Sequence, residues 1–177
     1  MKYFESIYPL HEAAPAPGIA PGRDIPQDLR AMLEQAKGNS YADGFFRFID
    51  RDAVAPVFAY WGLEPADCFV FLKCGFGQLV FLHEQQYKVL NPVFNSIDEL
   101  GDADSLEFVM DVLLCDRPGM EASFLIDVYE AALPRLGPPA LDEMYAFVPA
   151  LGLGGPRDAA QVQKKKMETE MAILAQL

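Results

Sequence analysis

The sequence predicts an α+β protein, with an antiparallel β-meander and packed helices in the first half and a mostly helical second half. Three observations carry that prediction. Residues 68–90 hold three short apolar runs separated by turns too short for a crossover. After Asn95 the apolar residues recur at i, i+3 and i+4 instead. Finally, 51% of the 177 residues are apolar and 23% are charged, a balance that can build a core and excludes general disorder.

The elements follow in order. Pro9, Pro15, Pro17, Pro21 and Pro26, with Gly18 and Gly22, make residues 1–27 a proline-rich extended segment, because proline fixes φ and removes a donor. Asp28 caps a short helix whose Leu29, Met32 and Leu33 share a face, and Gly38-Asn39 ends it. Phe45 to Ile49 is aromatic and reads as a strand. Val54 to Trp61 reads as a short helix ending at Gly62, with Trp61 expected in the core. Cys68–Cys74, Gln78–Leu82 and Tyr87–Leu90 are the three meander strands, the first two joined by Gly75-Phe76-Gly77. The 68–74 run is apolar on both faces, so helices from elsewhere must cover both.

In the second half, Leu106, Val109, Met110, Leu113 and Leu114 define an amphipathic helix over 105–114, with Asp104 near its start. A second helix over 123–133 is stopped by Pro134, Pro138 and Pro139. Met144 to Leu151 reads as a strand or extended segment, Gly152 to Pro156 as a loop, and Ala159 to Leu177 as a last helix. Each half is small for an independent core, so the two are expected to share an apolar interface.

Charge narrows the function classes. The formal net charge is −12, from 26 acidic and 14 basic residues. Nucleic-acid binding needs a basic face, so a nucleic acid is excluded as partner and a basic protein is favoured. Between Ser96 and Phe147 there are twelve acids against two bases, Arg117 and Arg135, so most of the excess lies in under a third of the chain. No apolar run approaches the length of a membrane span, and the first residues do not read as a secretory leader. Three cysteines are too few for a disulfide framework, which points to a reducing cytoplasm.

Catalytic and metal signatures are weak. His83-Glu84-Gln85-Gln86 begins like a zincin motif, but Tyr87 stands where the second histidine belongs. Cys68 and Cys74 share a strand face about 20 Å apart, too far for one metal. Gly152-Leu153-Gly154-Gly155-Pro156 lacks the lysine and serine of a phosphate loop, and Pro156 removes a donor. Lys164-Lys165-Lys166 reads as a solvated helix face. No catalytic residue, cofactor or metal ligand is therefore assigned, and the chain reads as a binding protein.

Two segments carry a resemblance. Tyr41-Ala42-Asp43-Gly44-Phe45-Phe46-Arg47-Phe48-Ile49-Asp50, running on to Pro56-Val57-Phe58-Ala59-Tyr60-Trp61, resembles the core of the GAD-like domain. Tyr145-Ala146-Phe147-Val148-Pro149-Ala150-Leu151-Gly152-Leu153-Gly154-Gly155, closing with Ile173-Leu174-Ala175-Gln176-Leu177, is similar to the C-terminal domain of type VI secretion immunity proteins. The resemblance implies a GAD-like domain over 28–95 and a type VI immunity C-terminal domain over 96–177, an order found in immunity proteins against secreted DNases. Residues 36–39 lack the aromatic-rich ending of that family, and Glu170 stands where a histidine is expected. These departures leave the cognate toxin open.

The resemblance implies a cytoplasmic immunity protein that neutralises a cognate type VI effector, a nuclease with a basic cleft, by stoichiometric occlusion. It needs no chemistry of its own. An acidic surface meets a cleft built for a polyanion with complementary charge. The expected partner-binding residues are Asp98, Glu99, Asp102, Asp104 and Glu107. The competing reading is a non-catalytic regulatory or adaptor module that binds a basic endogenous protein. An enzyme built on the carboxylates from Asp98 to Asp104 is the third.

Overall fold

The structure, a computed structural model, describes residues 1–14, 25–36, 38–49 and 54–177. In chain order its helices and strands are α1 (Lys2–Ile7), β1 (Leu10–Glu12), α2 (Gln27–Ala36), β2 (Ser40–Tyr41), β3 (Phe46–Phe48), β4 (Phe69–Cys74), β5 (Leu79–His83), β6 (Gln86–Asn91), β7 (Ser96–Asp102), α3 (Leu106–Asp111), α4 (Arg117–Gly119), α5 (Ile126–Leu136), β8 (Glu143–Phe147), β9 (Val162–Lys166) and α6 (Met167–Leu174). Short 3-10 segments join some of these, the longest being Ala55–Trp61.

Strands β1 to β7 form one antiparallel sheet in sequential order. Alternation along the strands sends side chains to two cores. From β5, Val80 and Leu82 enter the larger core, whereas Leu79 and Phe81 enter the smaller one. The larger core is closed by Phe4 of α1, Leu29 and Leu33 of α2, Val109 and Met110 of α3, and Tyr129 of α5. The smaller is closed by Val57 and Phe58 of the 3-10 helix and by Met167, Met171 and Leu174 of α6. Both faces of the apolar sheet are thus covered, as its composition demands. Because the larger core draws residues from both halves of the chain, the expected shared interface is present.

Several expectations are corrected. The second half is only partly helical. Ser96–Asp102 is the seventh strand of the sheet, and β8 pairs with β9 in a separate antiparallel hairpin. The predicted helix over 159–177 is instead a 3-10 turn, β9 and α6. On β9 the three lysines alternate across the strand: Lys164 and Lys166 are exposed while Lys165 is half-buried. They do not form a helix face. The extended reading of residues 1–27 is corrected at its start, where Phe4 and Tyr8, one turn apart, are buried and residues 2–7 are helical. Pro15, Pro17, Gly18, Pro21 and Gly22 lie outside the described residues. The helix over 123–133 begins only at Ile126, because a π-helical turn (Met120–Phe124) and a left-handed Leu125 precede it, and it runs through Pro134 to Leu136 and stops at Gly137. Trp61 is partly buried. Its indole N–H donates to Asn95 Oδ1 at 2.7 Å near the surface, while Val57 and Phe58 take the core positions.

Candidate functional site

The acidic residues lie where β7 turns into α3. Alternation and twist on an edge strand leave Asp98, Glu99 and Asp102 exposed. The turn is held by Ser105 N–H donating to the Asp102 carbonyl at 2.9 Å and Ala103 N–H donating to the Gln85 carbonyl at 2.9 Å. It delivers Asp104 and, on the first turn of α3, Glu107 to the same corner, both exposed. The five predicted partner-binding residues therefore sit along one strand–turn–helix segment.

The ion pairs separate these five from the other acids of the second half. Arg117 holds Glu121 at 2.6 Å and Glu130 at 2.7 Å. Arg157 holds Asp127 at 2.8 Å, and Lys166 holds Asp142 at 2.6 Å. Asp116 accepts from Gly119 N–H at 2.9 Å as a helix cap. Asp111 takes the terminal amine at 3.0 Å and Phe4 N–H at 2.9 Å. Burial pulls the Asp111 carboxyl up, but the N–H donors and the amine more than offset it and hold it below the ordinary aspartate value. Among the described residues, no cation lies within ion-pair distance of Asp98, Glu99, Asp102, Asp104 or Glu107. Lys88 faces Glu99 across β6 and β7 without reaching it. Asp98 receives one hydrogen bond from Ser96 Oγ at 2.7 Å. Among the described residues, none neutralises the charge of this corner.

Two shallow depressions flank Asp104. One is lined by Pro26, Gln27, Asp28, Ala31 and Ala103. It adds Asp28, a carboxylate that sequence reasoning placed only as a helix cap. The other is lined by Ser105, Glu107, Phe108, Asp111 and Val112. The i, i+4 pairing of Arg117 with Glu121 was a readable signal. The long-range pairings that neutralise Asp111, Asp127 and Asp142 left none.

Among the described residues, no group of three His, Cys, Asp or Glu side chains is arranged to hold a metal. His11 sits beside Asp43 at 3.7 Å and His83 beside Glu84 at 3.6 Å, in different parts of the sheet. Cys68 and Cys74 are buried, and burial, with the neighbouring Asp111 charge, pushes the Cys115 thiol up to about 11. The glycine loop is a 3-10 turn (Leu151–Leu153), and a Cβ on Gly155 would run into the Pro149 carbonyl, so that glycine serves close packing. A groove of about 590 Å³ runs between Val57 and Met167, with the Asp142–Lys166 pair already closed at its rim. Among the described residues, no helix is long and apolar enough to cross a membrane.

No curated protein matches the chain. The fold is similar to that of Atu4351 from Agrobacterium tumefaciens, known from its crystal structure, with a TM-score of 0.68 at 14% identity over 99% of this chain and 88% of that one. At that identity the likeness speaks for the fold alone. Residues 107–177, from the first turn of α3 to the last residue of the sequence, match the family model described as T6SS immunity protein Tdi1, C-terminal. This match over the second half supports a type VI immunity protein.

Proposed function

We propose that the protein protects its own cell by binding a cognate type VI effector in the cytoplasm, and that this effector is a nuclease with a basic cleft. The acidic corner from Asp98 to Glu107 meets the rim of that cleft and competes with nucleic acid. Residues 28–95 act as a GAD-like domain that supplies strands β2 to β6 of the sheet, and residues 96–177 as the type VI immunity domain. The observation that carries the reading is the set of five exposed carboxylates with no cation partner among the described residues, at the start of a segment that matches an immunity family. Unneutralised surface charge steers association with an opposite charge. Inhibition is by occupancy, since the histidines and cysteines are dispersed.

The test takes as candidate effector the product of the gene adjoining this protein's own. Its nuclease activity is titrated with this protein. Activity should fall linearly and vanish near one equivalent. Full protection at a small fraction of an equivalent would mean catalysis, and absence of a complex would remove the immunity reading.

A further inference from the structure

We propose that Phe108 and Val112 form the apolar anchor on which the partner is seated, with the carboxylates around them serving as its rim. This rests on the immunity reading above and assigns the part of the interface that sets complex lifetime.

α3 buries Leu106, Val109 and Met110 in the larger core. That face alone is enough to hold the helix to the sheet. Phe108 lies on the opposite face and is 49% exposed. Val112, at the C-cap, is 51% exposed, and its N–H donates to the Phe108 carbonyl at 3.0 Å. The two side chains are thus one helical turn apart and line one depression with Asp104 and Glu107. Tyr3, whose N–H contributes to holding the Asp111 carboxylate in the same depression, is 53% exposed. A phenylalanine held half in water does little for the fold, whereas an aromatic in a small depression ringed by polar groups matches the anatomy of a binding hot spot.

The charges choose the occupant. Asp104 and Glu107 have no cation partner among the described residues, while Asp111 is consumed by the terminal amine and Phe4 N–H. An anionic lipid surface would be repelled. A second copy, docking by a two-fold axis, would set the same carboxylates against each other. The fitting partner surface is an apolar side chain flanked by lysine or arginine, as at the rim of a nuclease cleft. Burial of the anchor should slow dissociation, while the outer acids on β7 set the association rate.

The effector encoded by the neighbouring gene is the probe, and surface plasmon resonance the readout. Phe108→Gln with Val112→Gln should weaken the complex roughly 100-fold, through faster dissociation that persists at high salt. In the wild-type complex, hydroxyl-radical oxidation of Phe108 should fall sharply, a measurement that needs no variant. Unchanged dissociation together with undiminished oxidation of Phe108 overturns the anchor but leaves the immunity reading standing. A wild-type protein that forms no complex overturns both. Concentration-dependent dimerisation of the protein alone, abolished by the double variant, overturns it in favour of a second copy.

Discussion

The Lys73 ammonium on β4 donates to the carbonyl oxygen of Ala140, 2.9 Å away and 67 residues later in the chain. The Leu141 carbonyl accepts at 3.0 Å, and the Glu143 carbonyl is the third acceptor. Three N–H donors meet three carbonyls, so a buried cation is satisfied by the loop that leads into β8. This clasp ties the meander to the second half. Burial first, and then the Arg47 guanidinium, push the Lys73 pKa down to about 7, against the pull of Asp142 and Glu143.

The sign follows from linkage. Between about pH 7 and the ordinary lysine value the unfolded chain binds more protons than the native one, so stability from this group rises with pH across that window. Urea unfolding at several pH values should show that rise in the wild type, and Lys73→Met should lack it. Lys73→Met should also cost about 2–4 kcal/mol, because buried carbonyls lose their donor. Identical pH slopes in the two proteins would contradict the argument.

A second connection between the halves is steric. A Cβ on Gly75 would stand 2.5 Å from Tyr129 Cδ2 and 3.1 Å from Phe45 Cδ2. Tyr129 cannot yield easily. It stacks on Tyr145 with ring centroids 4.8 Å apart, and its hydroxyl donates to the Asp43 carbonyl at 3.0 Å. Gly75→Ala is therefore expected to cost about 2–3 kcal/mol by overpacking. In a Tyr129→Leu background the same change should cost much less. Equal costs in both backgrounds, by urea unfolding, would place the constraint elsewhere.

These two contacts show what was legible in the sequence. The meander was readable because Phe69 to Leu90 combines apolar runs with short turns, both local signals. Placing Ser96–Asp102 in the sheet was not, since its aspartates and glycine weaken any strand pattern, and pairing with β6 decides it. The helix at Lys2–Ile7 has its N-terminal donors satisfied by Asp111, more than a hundred residues away. The acidic corner was visible as composition. That its charge survives folding, while Glu121, Asp127 and Glu130 are neutralised, depends on where Arg117 and Arg157 reach.

The β5–β6 hairpin carries a local conflict that substitution should relieve. Glu84 and Gln85 have φ of 51° and 61°, the left-handed values a two-residue turn requires. Both are exposed, and neither residue favours that region. Glu84→Asn with Gln85→Gly should stabilise the protein by about 1–2 kcal/mol. The Gln85 carbonyl that accepts from Ala103 N–H is backbone and is kept. A lower melting temperature in the double variant would show that the Glu84 side chain contributes more than the strain costs.

The unpaired acids should control how fast the effector binds. Asp98→Asn, Glu99→Gln and Asp102→Asn together remove three negative charges that no ion pair among the described residues screens. Glu121→Gln, Asp127→Asn and Glu130→Gln also remove three, but from carboxylates held by Arg117 and Arg157. Net charge changes equally in the two variants, so any difference reports location and not the overall field. Stopped-flow association with the effector at two salt concentrations separates them. The first variant should associate roughly tenfold more slowly at low ionic strength, with a flatter salt dependence and little change in dissociation. The second should also lose some long-range attraction, but less, because its arginines lie beside the removed charges and the corner at Asp104 keeps its field. If the second variant slows association as much as the first, steering belongs to the whole acidic surface, and Asp98, Glu99 and Asp102 have no special part in docking.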